Sequence, residues 1–437
     1  MSLHPATPPL EDFLRFRSRP PGSHFFGYYD KSPLDAGGGR LLAQKVGFDG
    51  RLPQAGDTAE IGYFDLQGGA FRRLADTRAF NWQQGSMLQW LGPDFAGRIL
   101  FNDLEGARPI CRLLDLEGGE ERLPQAVYTV HPCGGFALAP DFQRTTAVRD
   151  AYGYALAVPP EKTGALWEDD GIWRVELNSG ATTKILEIAA LLATRPVSSM
   201  QGGAHSIEHL MFNPGGSRFC FLHRWTLEDG GIYTRLFTAA PDGGDLRLLL
   251  DSGKTTHVCW ADDTTLLAWA APAGGAMRLR RSRSLTRLLL RPILPLYHRL
   301  AAGRPAMARL ASGQGYLLLP DRADAPPQRI GQGALTRDGH PSFNPGHPAL
   351  FVTDTYEDAE GVQDLILFDR VEATGSLLGR FPTLPGYAST GWRCDLHPKW
   401  DFSGRSLILE SLHEGSRQLY VYDFEAWLSA ASISSSS

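Results

Sequence analysis

No run of apolar residues approaches the length of a bilayer crossing, which argues against a helical membrane protein. Cysteine is scarce and scattered: Cys111, Cys133, Cys220, Cys259 and Cys394 are five among 437 residues, with no paired spacing. That pattern argues against a disulfide framework and predicts reduced, mostly buried thiols in a cytoplasmic protein. Neither sign of charge dominates. The formal net charge of −5 gives no general electrostatic reason to bind nucleic acid. Residues 1–23 carry prolines and charges without an apolar centre, so no signal peptide is expected. Helical periodicity is confined to 185–193 and 282–291. Neither a carboxylate pair of defined spacing nor a phosphate-cradling glycine loop is evident, which argues against a glycosidase or a nucleotide-dependent transferase.

Turn residues are plentiful. The 48 glycines and 30 prolines spread through the chain, and they punctuate a unit written several times over. Its clearest copies are Phe212-Asn213-Pro214-Gly215-Gly216 before Phe219–Leu222, Phe343-Asn344-Pro345-Gly346 before Leu350–Val352, and Trp400-Asp401-Phe402-Ser403-Gly404 before Leu407–Leu409. Weaker copies give units near 28–77, 86–124, 127–190, 207–250, 256–330, 338–380 and 395–426. Short strands and turns repeating about every 60 residues predict an all-β, single-domain, seven-bladed β-propeller. A pair of β-sandwiches is the alternative, and the absence of a linker argues against it. The expected boundaries are an N-terminal extension over 1–24, the propeller over 25–427, and a disordered Ser-rich tail over 428–437.

One segment departs from the average composition. Residues 278–299 hold Arg278, Arg280, Arg281, Arg283, Arg287, Arg291 and Arg299, with no acid, among leucines. It is expected as a basic insertion (about 278–305) in the fifth unit: a solvated loop, or a peripheral contact with an anionic membrane at its inner face.

Polar motifs gather where units begin, the positions that feed the innermost strand of each blade and face the central channel. They are Gly27-Tyr28-Tyr29-Asp30-Lys31-Ser32, Asn81-Trp82-Gln83-Gln84-Gly85, His205-Ser206-Ile207-Glu208-His209, Thr256-His257, Asp338-Gly339-His340 and Arg393-Cys394-Asp395-Leu396-His397-Pro398-Lys399-Trp400. His223-Arg224-Trp225 and Thr353-Asp354-Thr355-Tyr356 follow first strands.

These blocks, with His413-Glu414-Gly415 and Arg417-Gln418, resemble the β-propeller polysaccharide lyases, the oligogalacturonate and ulvan lyase families, over about 25–423. The resemblance implies β-elimination on an acidic, uronate-containing oligo- or polysaccharide. Such chemistry neutralises the C6 carboxylate, removes the C5 proton and protonates the departing O4. For the neutralising cation it implies a divalent metal, Mn or Zn, at His340 and His397, with Asp395 where a further histidine is expected and His257 as an additional nitrogen. Arg393 or Arg224 is the other candidate, binding the carboxylate directly. His205, His223, Tyr28 and Tyr29 are the candidates for base and acid, chosen by chemistry rather than by correspondence. Lys31, Trp82, Gln83, Gln84, Trp225, Asp354, Tyr356 and Lys399 are candidates for holding substrate, the aromatics by stacking on sugar rings. Trp260 and Trp400 are expected in the core. A non-catalytic propeller that binds an acidic glycan, or scaffolds polysaccharide assembly, is the alternative function.

Overall fold

The computed structural model describes residues 3–149, 151–157, 169–228, 230–271 and 313–434, with side chains of the last helix described to Ala431. Seven antiparallel sheets follow one another along the chain as the blades of a seven-bladed β-propeller. Blade 1 is Ser23–Phe25, Arg40–Val46, Ala59–Asp65 and Phe71–Thr77; blade 2 is Gln89–Trp90, Arg98–Glu105, Arg108–Asp115 and Glu120–Leu123. Blade 3 is Thr129–Val130, Phe136–Ala139, Gly171–Glu176 and Thr182–Glu187; blade 4 is Ala204–Phe212, Phe219–Thr226, Ile232–Ala239 and Arg247–Leu250. Blade 5 is Thr255–Asp262, Thr265–Ala270, Gly315–Pro320 and Gln328–Arg329; blade 6 is Ser342–Phe343, Leu350–Asp354, Val362–Asp369 and Thr374–Pro382. Blade 7 takes Lys399–Trp400, Ser406–Ser411 and Gln418–Asp423 from the end of the chain.

Its fourth strand comes from the beginning. Leu14–Arg17 pairs antiparallel with Gln418–Asp423, and His4–Pro5 pairs parallel with the outer strand of blade 6. The segment expected as an extension over 1–24 thus contributes, through His4–Pro5 and Leu14–Arg17, strands that saturate two sheet edges of the ring. At the other end, Phe424–Ser434 is helical, so 428–437 is not wholly a disordered tail; Trp427 anchors the helix by donating to the Pro8 carbonyl at 2.9 Å. The basic segment 278–299 lies outside the described residues. Among those described, no helix is long and apolar enough to cross a membrane.

The repeated motif has a mechanical basis. Asn213 Oδ1 caps its own turn at the Arg218 amide, while its Nδ2 donates to Asp263 O of blade 5 at 2.9 Å. Asn344 caps Gly346 and His347 and reaches Gly404 O of blade 7 at 2.9 Å. The aromatic positions latch the blades as well: Trp90, Trp260 and Trp400 each donate an indole N–H to a backbone carbonyl of the preceding blade, at Pro33, Met211 and Ser342. Gly404 sits at φ +77°, and a Cβ there would fall 2.0 Å from Asn344 Oδ1, so this turn demands glycine. Apolar alternation on the middle strands, such as Phe219 and Phe221 against Phe237, fills the space between blades.

Candidate functional site

The channel is lined by polar side chains from every blade. Tyr28 and Tyr29 come from blade 1, Gln83 and Gln84 precede blade 2, and Tyr128, Arg149 and Tyr152 belong to blade 3. Glu208, His209 and Arg224 come from blade 4, His257 from blade 5, His340, Asp354 and Tyr356 from blade 6, and Arg393, Asp395 and His397 from blade 7.

One wall is histidine-rich. His340, Asp395 and His397 offer ligand atoms that lie within 4.8 Å of one another, all three residues buried. Asp354 anchors this wall: its carboxylate accepts from His340 Nδ1 at 2.9 Å, from the His340 amide at 2.6 Å and from the His397 amide at 3.0 Å. That bond fixes the His340 tautomer and leaves Nε2 as an open lone pair, the carboxylate–imidazole arrangement that orients metal ligands. Burial pushes both imidazoles well below their usual range, so both are neutral. His340 Nε2 and both ring nitrogens of His397 are buried without a hydrogen-bond partner. Buried unpaired polar atoms are costly unless something else satisfies them, and this ligand set fits a divalent cation with mixed nitrogen and oxygen ligands. Burial raises Asp354 to about 6 despite the amides that oppose the shift.

His257 is drawn into this wall differently. Its ring centroid lies 4.1 Å from that of His340, but Nδ1 bonds Asp338 at 2.9 Å and Nε2 meets Tyr356 Oη at 3.3 Å. Both nitrogens are engaged, so His257 is a neighbour of the triad rather than a fourth ligand. Arg393 pairs with Asp395 at 2.9 Å, donates to Gln83 Oε1 at 3.1 Å and faces the Tyr356 ring.

The facing wall is cationic. Arg149 and Arg224 converge on Glu208 at 3.4 and 3.2 Å. Burial would raise the Glu208 carboxyl, but the two guanidiniums overcome it and hold it at about 2. His209 stacks on Tyr28 with centroids 5.0 Å apart, and Gln84 Nε2 and Tyr128 Oη each stand 3.4 Å from its Nδ1. Tyr28 Oη has no partner, and burial holds its phenol well above the usual range, hence protonated. Tyr29 instead donates to Val258 O at 2.8 Å and is structural. Lys31 pairs with Asp30 at 2.6 Å and lies over the Tyr128 ring.

Several expected site residues lie elsewhere. His205 Nδ1 bonds His223 Nε2 at 3.0 Å inside blade 4, His205 Nε2 meets Met200 O at 2.9 Å, and both rings pack on Trp225. These two histidines are a blade-packing pair, outside the cluster. Trp225 is fully buried and stacked on Tyr233, and Trp82 is buried among Phe25, Phe48 and Phe80. Neither ring offers a face to a sugar. Lys399 is 1% exposed and spans Glu410 Oε1 at 3.1 Å and Gly27 O at 3.0 Å, so it clamps the Tyr28 segment instead of binding substrate.

Sequence reasoning placed His209 in a channel motif without giving it a role, and missed Tyr128, Arg149 and Tyr152. The signal for His209 is a bulge: strand register shifts between Glu208 and Met211, His209 adopts φ +56°, and the two-residue alternation that would have kept it with His205 is broken. His397 also has positive φ, at +43°. Both histidines thus sit in a backbone region that costs about 1–3 kcal/mol for a non-glycine residue, a cost concentrated at functional sites.

Comparison with solved structures places the fold beside the oligogalacturonate lyases. One solved in complex with manganese matches with a TM-score of 0.57 and 15% identity, over 92% of this chain and 90% of that one. The enzyme from Vibrio parahaemolyticus matches with a TM-score of 0.58 and 12% identity, over 97% of each chain. At such identity the likeness establishes the propeller fold. No protein-family model matches the chain, and no curated protein matches it in sequence.

Proposed function

We propose that the chain is a metal-assisted lyase that cleaves a uronic-acid-containing oligosaccharide by β-elimination. The observation that carries this reading is the buried triad of His340, Asp395 and His397, in which His340 Nε2 and both ring nitrogens of His397 lack partners beside Arg393 and Tyr28. The fold shared with a lyase holding manganese supports it. A divalent cation held by His340 Nε2, His397 and Asp395 would neutralise the uronate carboxylate and so acidify the C5 proton. Arg393 stands ready to share that carboxylate by a planar two-point contact. His209, kept neutral by burial, suits the base that removes the proton, with Gln84 and Tyr128 orienting its ring. Tyr28, kept protonated, suits the acid that donates to the departing O4. Arg149 and Arg224 supply positive charge on the facing wall.

The test is ultraviolet absorbance of an unsaturated uronate, scanned over pectic, ulvan-like and alginate oligomers with and without Mn or Zn. Loss of signal in His209→Ala and after chelation is expected. No product from any acidic glycan would remove the proposal. A second reading, a propeller that binds an acidic glycan without cleaving it, is favoured by one feature: Asp395 already has Arg393 as its partner. Calorimetry with the same oligomers separates the two, since binding without turnover supports the second.

A further inference from the structure

Cys133 is the exposed cysteine among the five; Cys111, Cys220, Cys259 and Cys394 are buried. It occupies the turn between Thr129–Val130 and Phe136–Ala139 of blade 3. His340 and His397 precede the innermost strands of their blades, whereas this turn follows one, so it lies at the opposite end of the ring. Its Sγ stands 2.9 Å from His131 Nδ1. The other ring nitrogen, Nε2, is 3.1 Å from the Gly216 carbonyl of blade 4, which accepts only a donor. That contact places the imidazole proton on Nε2 and leaves Nδ1 as an acceptor for the thiol and for the Cys133 amide at 3.2 Å. Stacking on Phe136 at 4.6 Å and an edge contact with Phe212 at 5.1 Å hold the ring in place. A nucleophile within reach of a base, with the base oriented by a third group, is the general signature of an activated side chain.

We propose that Cys133 and His131 form a thiol-exchange site that takes low-molecular-weight disulfides. His131 Nδ1 accepts the thiol proton as Sγ attacks one sulfur of the disulfide. The Cys133–sulfur bond forms, the disulfide bond breaks, and the departing thiolate takes the proton from His131. Cys133 is thereby oxidised to a mixed disulfide and the expelled half is reduced to a thiol. Burial holds His131 below its usual range, which keeps it an unprotonated base at neutral pH.

The experiment incubates the full-length protein with oxidised glutathione and counts adducts by intact mass. One rapid adduct per chain, mapped to Cys133 and absent in Cys133→Ser, is expected. His131→Gln should slow the reaction by about tenfold or more at pH 7. A thiol without a base reacts only as preformed thiolate, and its rate climbs roughly tenfold per pH unit below its titration. Wild-type rates that instead level off between pH 6.5 and 8 support the base. A tenfold-per-unit climb in the wild type, or an unchanged rate in His131→Gln, overturns it. More than one adduct in His131→Gln reports unfolding, and the wild-type profile then decides alone.

Discussion

Replacing Lys399 with methionine is the sharpest test of how the channel is built. The ammonium lies 3.1 Å from Glu410 Oε1 and 3.0 Å from Gly27 O, and both side chains of the pair are 1% exposed. Methionine keeps most of the hydrocarbon stem but strands the carboxylate. Glu410 would retain the amides of Gly27 at 2.9 Å and Phe26 at 3.2 Å, with Gly27 O left unsatisfied. Breaking a buried ion pair on one side costs about 3–5 kcal/mol, and the retained amides place this case toward the lower end. For 437 residues unfolding as a unit, that is a fall in Tm of about 3–5 °C. The double variant Lys399→Met/Glu410→Gln keeps acceptors for both amides without a charge to strand, and should recover about 2 kcal/mol of the loss. Guanidinium unfolding of the four proteins reads this cycle directly. A Lys399→Met variant within about 1 kcal/mol of wild type, yet weakened in oligosaccharide binding, would return the lysine to the substrate and refute the clamp.

Asp354→Asn should lower Mn affinity by about 10–100-fold in calorimetry, because an amide orients His340 less firmly than a carboxylate; unchanged affinity would place the metal elsewhere. Asp170 is buried with Oδ2 unpartnered, and burial raises its carboxyl to about 8. A raised folded-state value favours folding below the unfolded value of about 4, and that advantage is lost as pH rises to 8, so Asp170→Asn should outlast wild type increasingly over that span in thermal melts. Burial depresses His205 and His223, the opposite sign, so their contribution is present above about pH 6.5 and lost as pH falls. His223→Phe should melt with a shallower acid dependence than wild type; an identical slope would show that the pair does not carry it.

The blades were legible because each obeys local rules: Asn213 and Asn344 cap their turns, and the strands that follow are short apolar runs buried on both faces. Ring closure was not. Leu14–Arg17 pairs with residues some four hundred positions away, and nothing local in a half-buried tetrapeptide of alternating arginines names its partner. The same division runs through the channel. His340, His397 and Arg393 were identifiable because they stand immediately before innermost strands, where chain direction alone fixes which way they face. Trp82 and Lys399 stand in similar places and mislead, because their neighbours Phe25, Phe48 and Glu410 come from distant segments and fill the space a ligand would need.

His205 and His209 show what decides between the two outcomes. Both belong to one nine-residue strand, Ala204–Phe212, and simple alternation assigns them one face. The bulge after Glu208 separates them: His205 turns into the blade against His223, while His209 reaches Tyr28. A strand that binds through its middle must leave its ladder somewhere, and the residue at the break is the one freed to do so. If that reasoning holds, restoring the ladder by deleting one residue at the bulge should abolish any chemistry of the channel while the propeller still folds. Loss of folding together with activity would show instead that the bulge is needed for packing.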